Sequence, residues 1–175
     1  MVVQKYKSAC TSVNAKCKVP RLAKVLPEWL EGASTVLDYG GGKYDTATDY
    51  LWGFRIMNHI YDPFNRDQYE NIRAMVREGY DAAMLSNVLN VIMEPEIRME
   101  AIVRVWEHLK VGGILFVNVY EGDKSGILKV NEKRNSCQLN RRLKEYLPEI
   151  RIVFGDSTCI KRTKGVEYIY ARKEG

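Results

Sequence analysis

Residues 34–42 read Ser34-Thr35-Val36-Leu37-Asp38-Tyr39-Gly40-Gly41-Gly42. The first part is short, apolar and β-branched, as a buried strand should be. The second part is a glycine turn, which can take backbone conformations closed to other residues and lets a ligand approach the main chain. Residues 45–52 then read as a helix, with Asp45 or Thr46 placed to cap it. Strand, glycine turn and helix in succession put a ligand beyond the carboxyl end of the strand.

The alternation continues on either side. Upstream, residues 19–31 carry Leu22, Val25, Leu26 and Leu30 at helical spacing, with Pro27 inside and Gly32 as the stop. Downstream, the pattern predicts a strand over 54–61 and a helix over 67–78. A strand over 81–89 and a helix over 95–109 follow, with Pro95 at the first helical position. The Gly112-Gly113 turn leads into a strand over 114–120. Residues 136–146 read as a helix stopped near Pro148, and residues 151–154 (extended toward Ile160) and 166–171 as a terminal hairpin joined through 161–165. Alternating strands and helices predict an α/β fold. It is a three-layer, Rossmann-like sheet, mostly parallel, with a C-terminal antiparallel hairpin strand.

The 175 residues fit one domain. It is read as residues 1–175, with an N-terminal arm and helix at 1–31 and the C-terminal helix and hairpin at 124–175. Hydrophobic residues at 46% and charged residues at 28% are globular proportions. No apolar run approaches the ~20 residues that span a bilayer, and the N-terminus lacks the apolar core of a secretory signal. Cys10, Cys17, Cys137 and Cys159 form no Cys-x-x-Cys pair, and only His59 and His108 could join them, so no metal site is expected. The cysteines read as reduced thiols of a cytoplasmic protein, although Cys10 and Cys17 are close enough in sequence to bridge. Charge is uneven: +5 over residues 1–30, −7 over 31–123 and +7 over 124–175. Solvated helix faces explain this, and so does an anionic partner such as nucleic acid.

A second motif, Ile60-Tyr61-Asp62-Pro63, ends the next strand, with Asp62 lying 20 residues beyond Gly42. An acid there can accept hydrogen bonds from both hydroxyls of an unphosphorylated ribose. It can equally begin an Asp-Pro turn.

Taken in order, residues 36–42 (VLDYGGG), 60–63 (IYDP), 83–92 (AMLSNVLNVI) and 109–123 (LKVGGILFVNVYEGD) resemble the motifs of class I S-adenosylmethionine (SAM)-dependent methyltransferases. The resemblance spans roughly residues 34–123. It implies SAM as methyl donor and S-adenosylhomocysteine (SAH) as product. It places Asp38, Gly40, Gly41 and Gly42 around the methionine end and Asp62 with Pro63 at the ribose. Asn87 with Val88 falls beside the adenosine and the transferred methyl. Two departures stand out. Tyr44 holds the place of the family's third glycine, and only 17 residues separate Pro63 from Asp81, too few for the usual helix–strand–helix. The sheet is therefore expected to lack one edge strand. The string Ser86 to Ile92 is also similar to that of methyltransferases associated with DNA phosphorothioation, which keeps a nucleic-acid acceptor in view.

Methyl transfer from a sulfonium needs mainly alignment of the nucleophile about 3–3.5 Å from the methyl. A base is required only for a protonated acceptor. Asn87, Tyr120 and Glu121 are the catalytic candidates, with Asn90 and Asp123 nearby. Gln138 and Asn140 could contact substrate but read more simply as a solvated helix face, and His59 and His108 read as structural. The acceptor is unidentified. Lys129, Lys133, Arg134, Arg141, Arg142 and Lys144 make an anionic one an expectation. A non-catalytic SAM- or nucleotide-binding module is the competing reading. An NAD-dependent oxidoreductase is disfavoured because Asp45 stands where its fingerprint needs Gly or Ala. The arm, with Tyr6, Ser12 and Asn14, is expected either to cover the cofactor or to fray.

Overall fold

The computed structural model describes residues 3–11 and 18–175, so the expectations for Ser12, Asn14 and Cys17 lie outside the described residues. The elements in chain order are β1 (Thr35–Tyr39), α1 (Thr46–Trp52), β2 (Met57–Tyr61), α2 (Gln68–Val76), β3 (Tyr80–Ser86) and α3 (Pro95–His108). They continue with β4 (Leu109–Asn118), β5 (Leu128–Asn131), β6 (Ser136–Leu139), α4 (Leu147–Phe154), β7 (Cys159–Thr163) and β8 (Val166–Arg172).

Six strands form the main sheet in the order β2-β1-β3-β4-β8-β7. The first four are parallel, while β8 runs antiparallel to β4 and β7 antiparallel to β8. Period-two alternation sends neighbouring side chains to opposite layers. Leu37, Ala83, Leu85, Leu115 and Val117 meet Ala74 of α2, Ile102 and Val105 of α3, and Ile150 and Phe154 of α4. Val36, Ala82, Met84 and Phe116 meet Leu22, Leu26, and Ala47 and Leu51 of α1. The result is the expected three-layer arrangement. The chain between β2 and β3 supplies only α2, so β2 is the sheet's edge and the anticipated strand is missing. Because β1 is flanked by β2 and β3, the crevice between their carboxyl ends is the topological switch point.

Three segments differ from the sequence reading. Residues 19–31 form turns and one 3-10 helix, Leu26–Glu28, held by bonds such as Val25 N–H to Leu22 O and Glu28 N–H to Val25 O. Pro27 has no N–H and cannot propagate a longer helix, yet Leu22, Val25 and Leu26 are fully buried. Second, Ser136–Leu139 is a strand, not the start of a helix. It pairs with β5 as a separate hairpin, turned through Asn135 at φ 46°. Third, Pro148 starts α4 instead of stopping a helix, so residues 151–154 are helical and not a strand, and Gly155 at φ 68° ends them. The true terminal hairpin turns tightly on Lys164 and Gly165, both with positive φ. Gly112 and Gly113 lie inside β4, beside a register shift at Tyr80/Ala82. No helix among the described residues is long and apolar enough to cross a membrane.

Candidate active site

The turn after β1 needs its glycines for packing. Gly40 sits at φ +79°, and a Cβ there would lie 2.6 Å from Val88 Cγ2, so its absence lets the turn rest on the loop after β3. A Cβ on Gly41 would lie 2.5 Å from Asp38 Oδ2, which puts the Asp38 carboxylate directly beneath the turn. Asp38 is 2% exposed. Burial pushes its pKa from 3.8 up to about 7, opposed by a hydrogen bond with Asn58 and reinforced by the charge of Asp62.

Asp62 follows β2 and ties two loops together. Its carboxylate accepts hydrogen bonds from Gly42 N (2.9 Å), Phe64 N (3.0 Å), Asn65 N (3.0 Å) and Asn65 Nδ2 (3.1 Å). Arg66 braces the same turn by donating from Nε to Gly42 O at 2.8 Å while pairing with Asp45 and Glu70. Asp45 thus stands at the N-cap of α1 without capping it through its side chain. Sequence reasoning missed Arg66, although its neighbour was legible: Asp67 and Glu70 form a capping box at the start of α2.

The cleft that opens here has a volume of about 1170 Å³ and is bordered by Asp38, the Gly40–Gly42 turn, Asp62, Pro63, Asn87 and Val88. Asn87 takes the left-handed conformation, φ 58°, and gives its N–H to Asn118 O. Tyr120 also borders the cleft and is 65% exposed. Glu121 is not among the lining residues. It accepts Leu143 N–H at 2.7 Å and pairs with Lys124. Burial favours its neutral form, but those two partners prevail and hold its pKa below the usual carboxylate value. His59 contacts the Tyr80 hydroxyl, and His108 lies between the carbonyls of Arg104 and Met75. Neither histidine borders the cleft.

The reading of 136–146 as a helix misplaces Gln138 and Asn140, because the β5–β6 hairpin is not foreseen. Gln138 lies on β6 and lines the cleft, while Asn140 is 2% exposed and not on a solvated helix. Asn90 is likewise 2% exposed and donates from Nδ2 to Gln138 Oε1 at 2.9 Å. Of the six basic residues named after β4, only Arg134 borders the cleft. Lys129 pairs with Asp123, and Arg141 with Glu149.

The described arm, residues 3–11, crosses this cleft. Ser8 N–H reaches Asn135 O, Ser8 Oγ reaches Val91 O, Cys10 Sγ reaches Arg134 O, and the Tyr6 hydroxyl bonds Glu132. Lys7 Nζ lies 5.9 Å from the centre of the Phe64 ring on the β2 side. The arm therefore touches loops on both banks.

No family model matches the chain, and no curated protein matches it. Solved structures do. A 1,6-didemethyltoxoflavin-N1-methyltransferase from Burkholderia thailandensis, solved with that compound and SAH, is similar at a TM-score of 0.68 and 16% identity, covering 95% of this chain and 85% of its own. A TehB-like SAM-dependent methyltransferase from Corynebacterium glutamicum is similar at 0.56 and 11%, covering 95% and 94%. A sugar N-methyltransferase from Streptoalloteichus is similar at 0.56 and 12%, covering 87% and 85%. The chain has the fold of the class I, Rossmann-like SAM-dependent methyltransferases. It carries that fold without the strand that would lie outside β2.

Proposed function

We propose that the protein is a SAM-dependent methyltransferase with an unidentified acceptor. One observation carries the reading. A glycine turn and a buried acid, Asp62, meet at the switch point of this fold, at the foot of a cleft larger than the 300–1,000 Å³ of ordinary ligand pockets. The residues present fit the cofactor. Gly40, Gly41 and Gly42 line the cleft where the methionine portion would lie, and Lys18 and Arg21, which also line it, suit its carboxylate. Asp62 and Pro63 border the ribose, and Asn87 and Val88 the adenosine. When bound, SAM supplies an electrophilic methyl, and the protein's part is to align the acceptor, exclude water and hold the sulfonium. Asn87 and Tyr120 border the site of transfer, whereas Glu121 acts by fixing the chain around Leu143. Free cysteines at Cys10, Cys137 and Cys159 suit a reducing, cytoplasmic setting.

The compact sheet and Tyr44 in place of the third glycine favour a non-catalytic binding module as the second reading. Asp62 already accepts four hydrogen bonds from the protein, so a ribose must displace at least the Asn65 amide. Calorimetric titration with SAH, beside Asp62→Ala, tests the first step. Micromolar binding that is lost in the variant supports the assignment, and no binding to the folded wild type refutes it. Binding without label transfer from SAM to any acceptor class favours the module.

A further inference from the structure

The end of the cleft near the β5–β6 hairpin holds a chain of amides whose orientation is forced. Gln138 Nε2 donates to two carbonyls, Tyr120 O at 2.8 Å and Leu139 O at 3.0 Å. Its Oε1 must therefore face Asn90, and Asn90 must answer with Nδ2. The Asn90 Oδ1 is then an acceptor by necessity, and it is buried with no partner. Asn118, at the end of β4, adds a second buried amide oxygen without a partner, and both residues line the cleft. Buried acceptors are costly when unpaired, so this end suits a ligand that brings N–H donors.

The same end offers no base. Among the described residues, the carboxylates lining the cleft are Asp38, Asp62 and Glu100. The first lies under Gly41, the second is filled by protein donors, and the third pairs with Arg104. No histidine among the described residues borders the cleft, and residues 12–17, SVNAKC, contain neither histidine nor carboxylate. An alcohol or an alkylammonium would need its proton removed, whereas an aromatic or heterocyclic nitrogen that is already unprotonated near neutral pH needs no such help.

We propose that the methyl acceptor is a small, weakly basic amino-substituted nitrogen heterocycle, recognised by N–H donation to Asn90 Oδ1 and Asn118 Oδ1 and methylated on nitrogen. This rests on the methyltransferase reading above. The nitrogen lone pair forms the bond to the methyl carbon as the carbon–sulfur bond breaks. Its electron pair stays on sulfur, the positive charge passes to nitrogen, and any surplus proton leaves afterwards to water.

The test uses the full chain saturated with SAH. Diaminopyrimidine and its donor-free analogue dimethoxypyrimidine are titrated into wild type and Asn90→Leu. Diaminopyrimidine is expected to bind saturably, dimethoxypyrimidine not to bind, and Asn90→Leu to weaken the former at least tenfold with SAH affinity unchanged. Equal binding of the two probes, no binding of diaminopyrimidine, or full affinity in a folded Asn90→Leu overturns the proposal. The comparison of probes on wild type stands even where the variant does not fold. Failure of SAH itself to bind is seen before any probe is added, and it defeats the cofactor reading instead.

Discussion

Asp38 is a carboxyl group buried under a turn that glycine alone can form. In the unfolded chain it ionises above 3.8, but in the native protein it keeps its proton to about 7. The folded state thus binds the extra proton between those values, and stability is expected to fall as pH rises through that window. Asp38→Asn should flatten this slope, which urea midpoints measured across the window would show. An unchanged slope would mean that the charge is relieved by other groups. Gly40→Ala joins a strained φ to a 2.6 Å approach to Val88, and about 1–3 kcal/mol of stability should be lost together with SAH affinity. At this scale the sequence was informative wherever backbone chemistry was encoded in residue type. The glycine turn and the acid at the end of β2 could both be read. The bonds from Phe64 N and Asn65 N belong to the Asp-Pro turn that the sequence already offered, whereas the bond from Gly42 N could not be read, because it joins two loops only in the folded chain.

Two prolines illustrate the same limit for elements. Pro95 and Pro148 both occupy the first turn of a helix, where no backbone partner is lost. Pro95 preceded a long amphipathic run and was read as a start. Pro148 followed one and was read as a stop. The residues after it, Ile150 and Phe154, are buried in the same core as Ile102 and Val105 of α3, and this packing decides for helix. Residues 136–139 failed for the complementary reason, since a four-residue strand is specified by its partner β5 more than by its own pattern. The α3–α4 junction makes its own prediction. Arg98, 3% exposed, is forked onto Glu149 and also donates to Ile92 O and Met93 O. Arg98→Met should cost about 1–3 kcal/mol, since it removes one of the two partners of a half-buried carboxylate and frees the loop that carries Asn90. Denaturant unfolding measures this. A loss below 1 kcal/mol (a rough threshold for an exposed pair) would show that Arg141 suffices for Glu149.

For the whole molecule, layer order and sheet direction followed from alternation alone, and the shortened interval after Pro63 correctly announced the bare edge at β2. The roof of the cleft could not be foreseen, because it joins parts of the chain that share no local pattern. Removing residues 1–17 should leave the three-layer core folded. It should also speed SAH dissociation about tenfold, or about 1.4 kcal/mol, as stopped-flow displacement would report. Dissociation at the wild-type rate would mean that the arm covers the cleft without confining what lies in it.

That roof also has a history in time. Ser8 binds Val91, Asn135 and the backbone of Cys137, groups that leave the ribosome as many as 129 residues later. During synthesis the glycine turn, β2 and β3 are complete while the arm still has nowhere to dock. The nascent chain thus finishes the floor of the cleft early and its ceiling late, and for that interval the cleft stands open on the side that the finished protein covers.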